Sequence, residues 1–92
     1  MKFKIEFSKA YKKSYKRAEK RGLDMNKLDD VVKIIANGGN LPEIYKDHSL
    51  SGKYKNCREC HILPDWLLIY RKLENVLILY LIETGTHSDL FE

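Results

Sequence analysis

The chain has 92 residues, a formal net charge of +4 and 43% hydrophobic residues. This length fits one domain spanning residues 1–92, and the composition excludes a disordered chain. No apolar run approaches the roughly 18 residues that cross a bilayer, and the start "MKFKIEFSKAYKK" lacks the hydrophobic stretch of a signal peptide. We therefore expect a soluble cytoplasmic protein whose two cysteines are reduced thiols.

The N-terminal part of the chain predicts one strand followed by two helices. Apolar and charged residues alternate in "KFKIEF" at positions 2–7, as they do in a half-buried strand. Ser8 can cap a helix over residues 9–21, and Asp24 can cap a second helix that ends at Gly38. Two short helices joined by a glycine-containing turn predict a helical hairpin.

Positive charge is concentrated at the start of the chain. Residues 1–21 hold nine Lys and Arg against two acidic residues, whereas the remaining residues hold eight basic and eleven acidic ones. A basic block of this density indicates a polyanion such as RNA, or an acidic protein partner. The simpler alternative is a solvated helix face.

The C-terminal part predicts three strands at residues 57–63, 66–71 and 76–82. The short connections "LPD" and "KLEN" favour an antiparallel meander. "WLLIY" and "VLILYLI" are apolar on both faces, which is typical of central strands covered on both sides. Together the segments predict one α+β domain of order β-α-α-β-β-β.

The stretch "NCRECHILPDW" contains Cys57-x-x-Cys60-His61, the spacing of a c-type haem attachment site. The C-x-x-C pair also resembles half of a zinc site, which His48, His61 or His87 could complete. We favour a third reading, in which both cysteines are small buried hydrophobic residues. We therefore expect neither a metal nor a cofactor.

The three histidines and one aspartate are the residues best suited to chemistry. His48, His61 and His87 each lie at a loop or strand edge among polar neighbours, and Asp65 lies in a turn between strands. Such a set can cleave RNA without a metal, because one imidazole takes the proton of a ribose 2′-hydroxyl and another protonates the departing 5′-oxygen. Phe91 either packs back onto the core or forms a platform for a nucleobase.

Several spaced motifs agree in order with one known family. "YKDHSLSGKYKNCRECHILPDWLLIY" and the terminal "TGTHSDLFE" closely resemble the YafQ branch of the RelE/ParE bacterial toxins. The resemblance covers nearly the whole chain. It implies a RelE-like fold, with a small twisted antiparallel sheet, a helical hairpin on one face and a cleft on the other.

The resemblance also implies a function. Such toxins of type II toxin–antitoxin systems are ribosome-dependent mRNA endoribonucleases, which enter the ribosomal A site, cut mRNA by 2′-hydroxyl attack and so inhibit translation. The implied partners are a cognate antitoxin in a hetero-oligomeric complex, the ribosome and mRNA, with no membrane.

Carried over to this sequence, the resemblance assigns the catalytic cleft to His48, His61, Asp65 and His87. It makes His87 the best candidate for general acid and gives His61 with Asp65 the base and orienting roles, while His48 could serve either function. The predicted substrate-binding residues are Lys53, Lys55, Arg58, Trp66 and Phe91.

One position departs from the family pattern. Family members often carry an arginine just before "TGTH", where this chain has Glu83. A carboxylate cannot stabilise negative charge on a phosphate, so the phosphate contact must come from Lys53, Lys55 or Arg58, or cleavage must be slower.

Three rival functions remain at this level. Glu83 favours a non-catalytic RNA- or ribosome-binding module on the same scaffold. A sibling of the fold that acts on DNA gyrase is disfavoured by His61, Asp65 and His87, since that action needs no acid/base set. The last rival is a Cys/His metalloprotein.

Overall fold

The computed structural model describes all 92 residues and contains five strands, three α-helices and two short 3₁₀ helices at Glu43–Tyr45 and Gly52–Tyr54. The strands are β1 (Lys4–Phe7), β2 (His48–Ser49), β3 (Arg58–Leu63), β4 (Trp66–Leu73) and β5 (Ile78–Gly85), and the helices are α1 (Lys9–Lys20), α2 (Met25–Ala36) and α3 (His87–Phe91). Without β2 and α3, the order is β-α-α-β-β-β, which confirms the predicted α+β fold. The two-residue β2 and the five-residue α3 were not predicted.

The sheet has the strand order β1-β5-β4-β3-β2. Strands β3, β4 and β5 form the predicted antiparallel meander, and β2 pairs antiparallel with β3. Strand β1 runs parallel to β5, with Lys4 opposite Ile78 and Phe7 opposite Leu81. The sheet is therefore mixed, and the expectation of a purely antiparallel sheet was wrong at this edge, because alternation reports burial and not strand direction.

The two long helices begin at the predicted caps. The Ser8 hydroxyl accepts the backbone N–H of Tyr11 at 2.9 Å, and an Asp24 carboxylate oxygen accepts that of Asn26 at 3.1 Å. Gly22 connects the helices with a φ of +80°, a conformation that glycine adopts without strain. Neither these twelve-residue helices nor α3 is long and apolar enough to cross a membrane.

Both faces of the sheet are covered, but unequally. The larger core lies between the helical hairpin and one face, and its sheet residues are Cys60, Ile62, Trp66, Leu68, Tyr70, Leu79 and Leu81. A smaller core on the opposite face consists of Tyr54, Leu67, Ile69 and Leu90. β4 therefore contributes to both cores, as its continuous apolar run predicted. Because Leu90 lies in α3, this second core holds the C-terminal helix on the face away from the hairpin.

A β-bulge changes the alternation of β5 near its end. Ile69 of β4 is opposite Glu83, but Tyr70 is opposite Leu81, so Ile82 has no partner in the ladder. Beyond the bulge, Thr84 is fully buried and its hydroxyl donates to the Leu67 carbonyl at 2.6 Å. The bulge thus fixes the direction in which the chain leaves the sheet and enters α3.

Candidate active site

The structure brings the three histidines together in a row on the sheet face opposite α1 and α2. His61 alternates in β3 with Cys60, which packs in the larger core, so the imidazole lies on the other face. The ring centroids of His48 and His61 are 6.3 Å apart, and those of His61 and His87 are 5.8 Å apart. We call these three side chains the histidine row.

Asp65 binds His87 at one end of the histidine row. A single carboxylate oxygen of Asp65 accepts from the His87 ring Nδ1 at 2.6 Å and from its backbone N–H at 2.9 Å. These hydrogen bonds, the backbone one first, hold the pKa of the Asp65 carboxyl below its usual range. The sequence-based pairing of Asp65 with His61 is therefore corrected, since Asp65 orients His87 and leaves its Nε2 free.

Glu59 lies between the other two histidines and was missed from the sequence. Its Oε1 is 3.4 Å from Nε2 of His48 and 3.5 Å from Nε2 of His61. The residue is only 4% exposed, and its Oε2 is a buried oxygen without a hydrogen-bond partner. A buried carboxylate on the same strand face as His61, two residues away, could have been found from the alternation of "ECH".

The Nδ1 atoms of His48 and His61 face backbone carbonyls. Nδ1 of His48 is 2.7 Å from the Lys46 oxygen, and Nδ1 of His61 is 3.3 Å from the Pro64 oxygen. A carbonyl oxygen only accepts, so both Nδ1 atoms carry protons. In both rings Nε2 is the nitrogen that can exchange a proton, and it faces Glu59.

His48, Glu59 and His61 also form the one cluster in the structure whose donor atoms could hold a metal ion. Their ligand atoms all lie within 4.8 Å of one another. Two imidazoles and a carboxylate are a common ligand set for divalent transition metals, and the unpartnered Glu59 oxygen supplies a free donor. These residues therefore fit a metal.

The two cysteines do not belong to this cluster. Cys60 is fully buried in the larger core, and burial raises the pKa of its thiol to about 12. Cys57 packs against the smaller core on the opposite face. The prediction of a small buried hydrophobic side chain is therefore confirmed for Cys60, whereas Cys57 is only partly buried, and the C-x-x-C pair points to opposite faces of the sheet.

Two of the predicted substrate-binding residues are placed elsewhere. Trp66 is 2% exposed in the larger core, and its indole N–H donates to the Thr84 hydroxyl at 2.9 Å. Arg58 shares the strand face of Cys60 and donates to the Asp47 carboxylate at 3.2 Å. That hydrogen bond raises the pKa of the guanidinium. Both assignments are corrected, because neither side chain can reach the face that carries the histidine row.

The other two predicted substrate-binding cations, Lys53 and Lys55, are exposed to solvent. Both lie in the segment before β3, and neither takes part in a salt bridge. The Lys53 ammonium lies 5.2 Å from the centroid of the Tyr54 ring, which packs in the smaller core below the site. Lys53 therefore lies on the side of the sheet that carries the histidine row.

Phe91 and Glu83 meet at the same buried tyrosine. The Phe91 ring is 48% exposed and contacts Tyr54 edge-on, with centroids 5.6 Å apart. The Tyr54 hydroxyl donates to a Glu83 carboxylate oxygen and to the Leu90 carbonyl, both at 3.3 Å. Burial and the Glu83 charge raise the pKa of Tyr54. The tail therefore packs back through Leu90 and still presents an aromatic ring to solvent.

Comparison with known proteins gives consistent matches along the chain. A family model described as "Bacterial toxin of type II toxin-antitoxin system, YafQ" matches residues 3–92. The chain is 44% identical over 88 residues to the mRNA interferase toxin YafQ of Escherichia coli strain K12, which is 95% of this chain and 94% of the relative.

Two solved structures show the same similarity in three dimensions. A chain of the E. coli DinJ-YafQ toxin-antitoxin complex is 42% identical with a TM-score of 0.89, and the match covers 100% of both chains. The metal-bound toxin from Helicobacter pylori is 42% identical with a TM-score of 0.91, covering 97% of this chain and 99% of that one. The similarity therefore includes every strand and helix that positions the histidine row.

Proposed function

The chain belongs to the YafQ family of bacterial toxins from type II toxin–antitoxin systems, and we propose that it is an mRNA endoribonuclease that inhibits translation. The E. coli relative is named an mRNA interferase. The observation that carries the proposal is the histidine row, in which three imidazoles are supported by the carboxylates of Asp65 and Glu59.

The proposed reaction is attack of a ribose 2′-hydroxyl on the adjacent phosphorus. The bond between O2′ and phosphorus forms while the bond between phosphorus and O5′ breaks, which leaves a 2′,3′-cyclic phosphate and a 5′-hydroxyl. A base removes the proton of the 2′-hydroxyl, and an acid gives a proton to O5′. We assign the acid to His87, because the Asp65 carboxylate stabilises its protonated ring and leaves the Nε2 proton free for the leaving oxygen.

The base belongs to the pair His48 and His61. In each ring, the proton on Nδ1 faces a carbonyl, so Nε2 has the lone pair that accepts a proton. Glu59 lies within 3.5 Å of both Nε2 atoms and stabilises the positive charge that forms there. Since the two rings share one carboxylate, we treat them as a coupled pair.

Other groups on this face bind the substrate in our proposal. The exposed Phe91 ring stacks on a base, and Lys53 and Lys55 contact phosphates. Glu83 works against cleavage, because its charge lies beside the Tyr54 hydroxyl on the same face. We therefore expect slower cleavage than with an uncharged residue at position 83.

The ribosome and an antitoxin are the proposed macromolecular partners. Nine basic residues in the first 21 suit contact with ribosomal RNA and with an acidic antitoxin, and an E. coli relative forms a complex with the antitoxin DinJ. Because the proposed activity is directed at ribosomes, we also propose that the protein acts in the cytoplasm.

We propose that cleavage needs no metal, although His48, Glu59 and His61 fit one and the H. pylori relative is a metal-bound toxin. A divalent ion held there would supply Lewis-acid stabilisation of a phosphoryl oxygen. It would also occupy the Nε2 lone pairs that the proposed base requires. Metal binding at this cluster is therefore expected to inhibit cleavage, and a chelator is expected to leave it unchanged.

The test is cleavage of mRNA on programmed ribosomes by wild type and His87→Ala, with Ser88→Ala as a control at the next position of α3. Wild type and Ser88→Ala should cleave and leave 5′-hydroxyl ends in the presence of EDTA, whereas His87→Ala should lose at least about 100-fold in rate. Free mRNA should resist cleavage. If wild type binds ribosomes but leaves the message intact, the non-catalytic module is the correct reading instead.

A further inference from the structure

Asp89 links the basic helix α1 to the helix that carries His87. We propose that Asp89, held by Arg17 and Arg21, is a positioning residue that fixes α3 so that His87 and Phe91 face the substrate. This inference rests on the proposed nuclease function, because it assigns these three residues a role in the same site. None of them contacts the reacting atoms.

The contact between the helices is close and has two hydrogen bonds. Arg21 donates from Nη1 to one carboxylate oxygen of Asp89 at 2.6 Å and from Nη2 to the other at 3.2 Å. Arg17 lies 3.6 Å from the same carboxylate. The Asp89 side chain is only 15% exposed, so water screens the group less than it screens an ordinary surface pair. The Arg21 hydrogen bond is the main reason that the pKa of the Asp89 carboxyl is far below its usual range.

The same carboxylate also starts α3. It accepts the backbone N–H of Thr86 at 2.9 Å, while the Thr86 hydroxyl accepts the backbone N–H of Asp89 at 3.0 Å. This reciprocal pair is a capping box, which fixes the first turn of a helix. A five-residue helix is too short to be stable by itself, so its orientation must come from such contacts.

Gly85 allows the connection to lie against α1. A Cβ atom at this position would be 2.8 Å from the Asp89 carboxylate and 2.9 Å from Nη2 of Arg17. The same Nη2 donates to the Thr84 carbonyl at 3.2 Å. The last residues of β5 are therefore held directly against the arginines, and no larger side chain fits between them.

The arrangement gives two arginines of the basic block a different task from RNA binding. His87 lies two residues before Asp89 in α3, and Phe91 lies two residues after it. A rotation of α3 would therefore move His87, the proposed general acid, together with Phe91, the ring proposed to stack on a nucleobase. Since a displacement of about 1 Å can reduce a rate about 100-fold, the contact with Arg21 should affect turnover more than binding.

The experiment compares Arg21→Gln and Asp89→Asn with Lys20→Gln in ribosome-programmed cleavage. Asp89→Asn retains one oxygen for the Thr86 N–H, so the helix cap is kept, but it loses the charge and one of the two oxygens that accept from Arg21. Lys20 lies in the same turn of α1 and has no salt bridge, so Lys20→Gln removes an equal charge without touching the contact. Each of the first two variants should lower kcat about tenfold with KM nearly unchanged. Lys20 belongs to the basic block proposed to contact ribosomal RNA, so Lys20→Gln should raise KM and leave kcat unchanged.

The double variant Arg21→Gln/Asp89→Asn separates coupling from independent losses. If the two residues act as one unit, it should be no slower than the slower single variant. Additive losses, or equal kcat values for Arg21→Gln and Lys20→Gln, would overturn the proposal.

A second measurement does not depend on cleavage. The imidazole nitrogen signals of His87, recorded by NMR on the free protein, should shift in Arg21→Gln and stay unchanged in Lys20→Gln. Unchanged His87 signals in Arg21→Gln would reject the positioning role. If wild type fails to cleave mRNA, the proposed function is wrong, while this measurement still decides whether Arg21 and Asp89 position His87.

Discussion

The Oδ1 atom of Asp65 accepts hydrogen bonds from both the ring Nδ1 and the backbone N–H of His87. The ring bond determines which nitrogen of the imidazole is free, and the backbone bond fixes the first residue of α3 to the turn between β3 and β4. One oxygen therefore controls both the protonation pattern of the ring and its place in the site.

Replacing Asp65 with asparagine separates these two effects. The amide oxygen of Asp65→Asn can still accept both hydrogen bonds, but it adds no negative charge to stabilise the protonated His87 ring. We expect kcat to fall by about 10- to 100-fold with little change in KM, measured by ribosome-programmed cleavage. A change confined to KM would instead assign Asp65 to substrate binding.

The buried charge of Glu59 should serve catalysis at a cost in stability. Glu59→Gln keeps the side-chain shape and removes the charge near His48 and His61, so kcat should fall about tenfold or more. Burying a carboxylate with an unpartnered oxygen costs more than burying a neutral amide in the same place, so the melting temperature should not decrease. Glu74→Gln, an exposed carboxylate far from the row, should change neither quantity. A large loss of stability in Glu59→Gln would identify the residue as structural.

Removing the Glu83 charge should accelerate cleavage. Because a negative charge on this face opposes charge that develops on the phosphate, Glu83→Gln should raise kcat by roughly threefold or more. Tyr54→Phe is the matched control, since it removes the hydroxyl that donates to Glu83 and keeps the carboxylate. A slower Glu83→Gln enzyme would mean that the carboxylate participates in the reaction.

Loss of the Phe91 ring should weaken binding. Stacking of one base on an aromatic side chain contributes about 1–3 kcal/mol, so Phe91→Ala should raise KM at least about fivefold. Phe91→Tyr keeps the ring and should bind like wild type, whereas Phe91→Leu keeps the apolar bulk and should bind like the alanine variant. Equal KM values for the leucine variant and wild type would indicate packing against Tyr54 as the main role.

Stability should fall in acid through Asp65 and Asp89. Both carboxyls have pKa values lowered by their partners in the folded chain, whereas in the unfolded chain they titrate near about 3.9. Below about pH 5 the unfolded chain therefore binds more protons, so the free energy of unfolding decreases as the pH falls. Urea unfolding between pH 7 and pH 3 should show this decrease, and Asp89→Asn should make it smaller. A decrease of the same size in both proteins would show that other groups dominate.

The helices, the long strands and the histidine pattern could be predicted because their signals are local. Ser8 and Asp24 are caps that contact residues two or three positions away. Alternation marked β1, and continuous apolar runs marked β4 and β5. Strand direction has no local signal, so the parallel pairing of β1 with β5 was missed. The five-residue α3 was missed although Thr86 and Asp89 form a local capping box, because a helix this short also depends on contacts of Asp89 with Arg21 and of Leu90 with the smaller core.

The site was predicted in part for the same reason. The contact between Asp65 and His87 spans 22 residues, and the roles implied by the family resemblance grouped Asp65 with His61 instead. Arg58 was chosen as a cation that could contact the phosphate, although it shares its strand face with the buried Cys60. The alternation that reveals this also places Glu59 beside His61. Assigning each residue of β3 to one face of the sheet by alternation would have corrected the assignment of Arg58 and identified the carboxylate of Glu59.

The bulge at Ile82 makes the site sensitive to the number of residues in β5 and not only to their identity. With strict alternation, Thr84 would share a face with Ile82, and Glu83 would point toward the helical hairpin. Deleting one residue would move every later residue of β5 to the opposite face of the sheet. It would also draw α3 back by about 3.3 Å, the rise per strand residue. The histidine at the end of "TGTH" would then be out of reach of the turn that contains Asp65. A single insertion or deletion in β5 should therefore abolish activity even where each substitution in the same strand is tolerated.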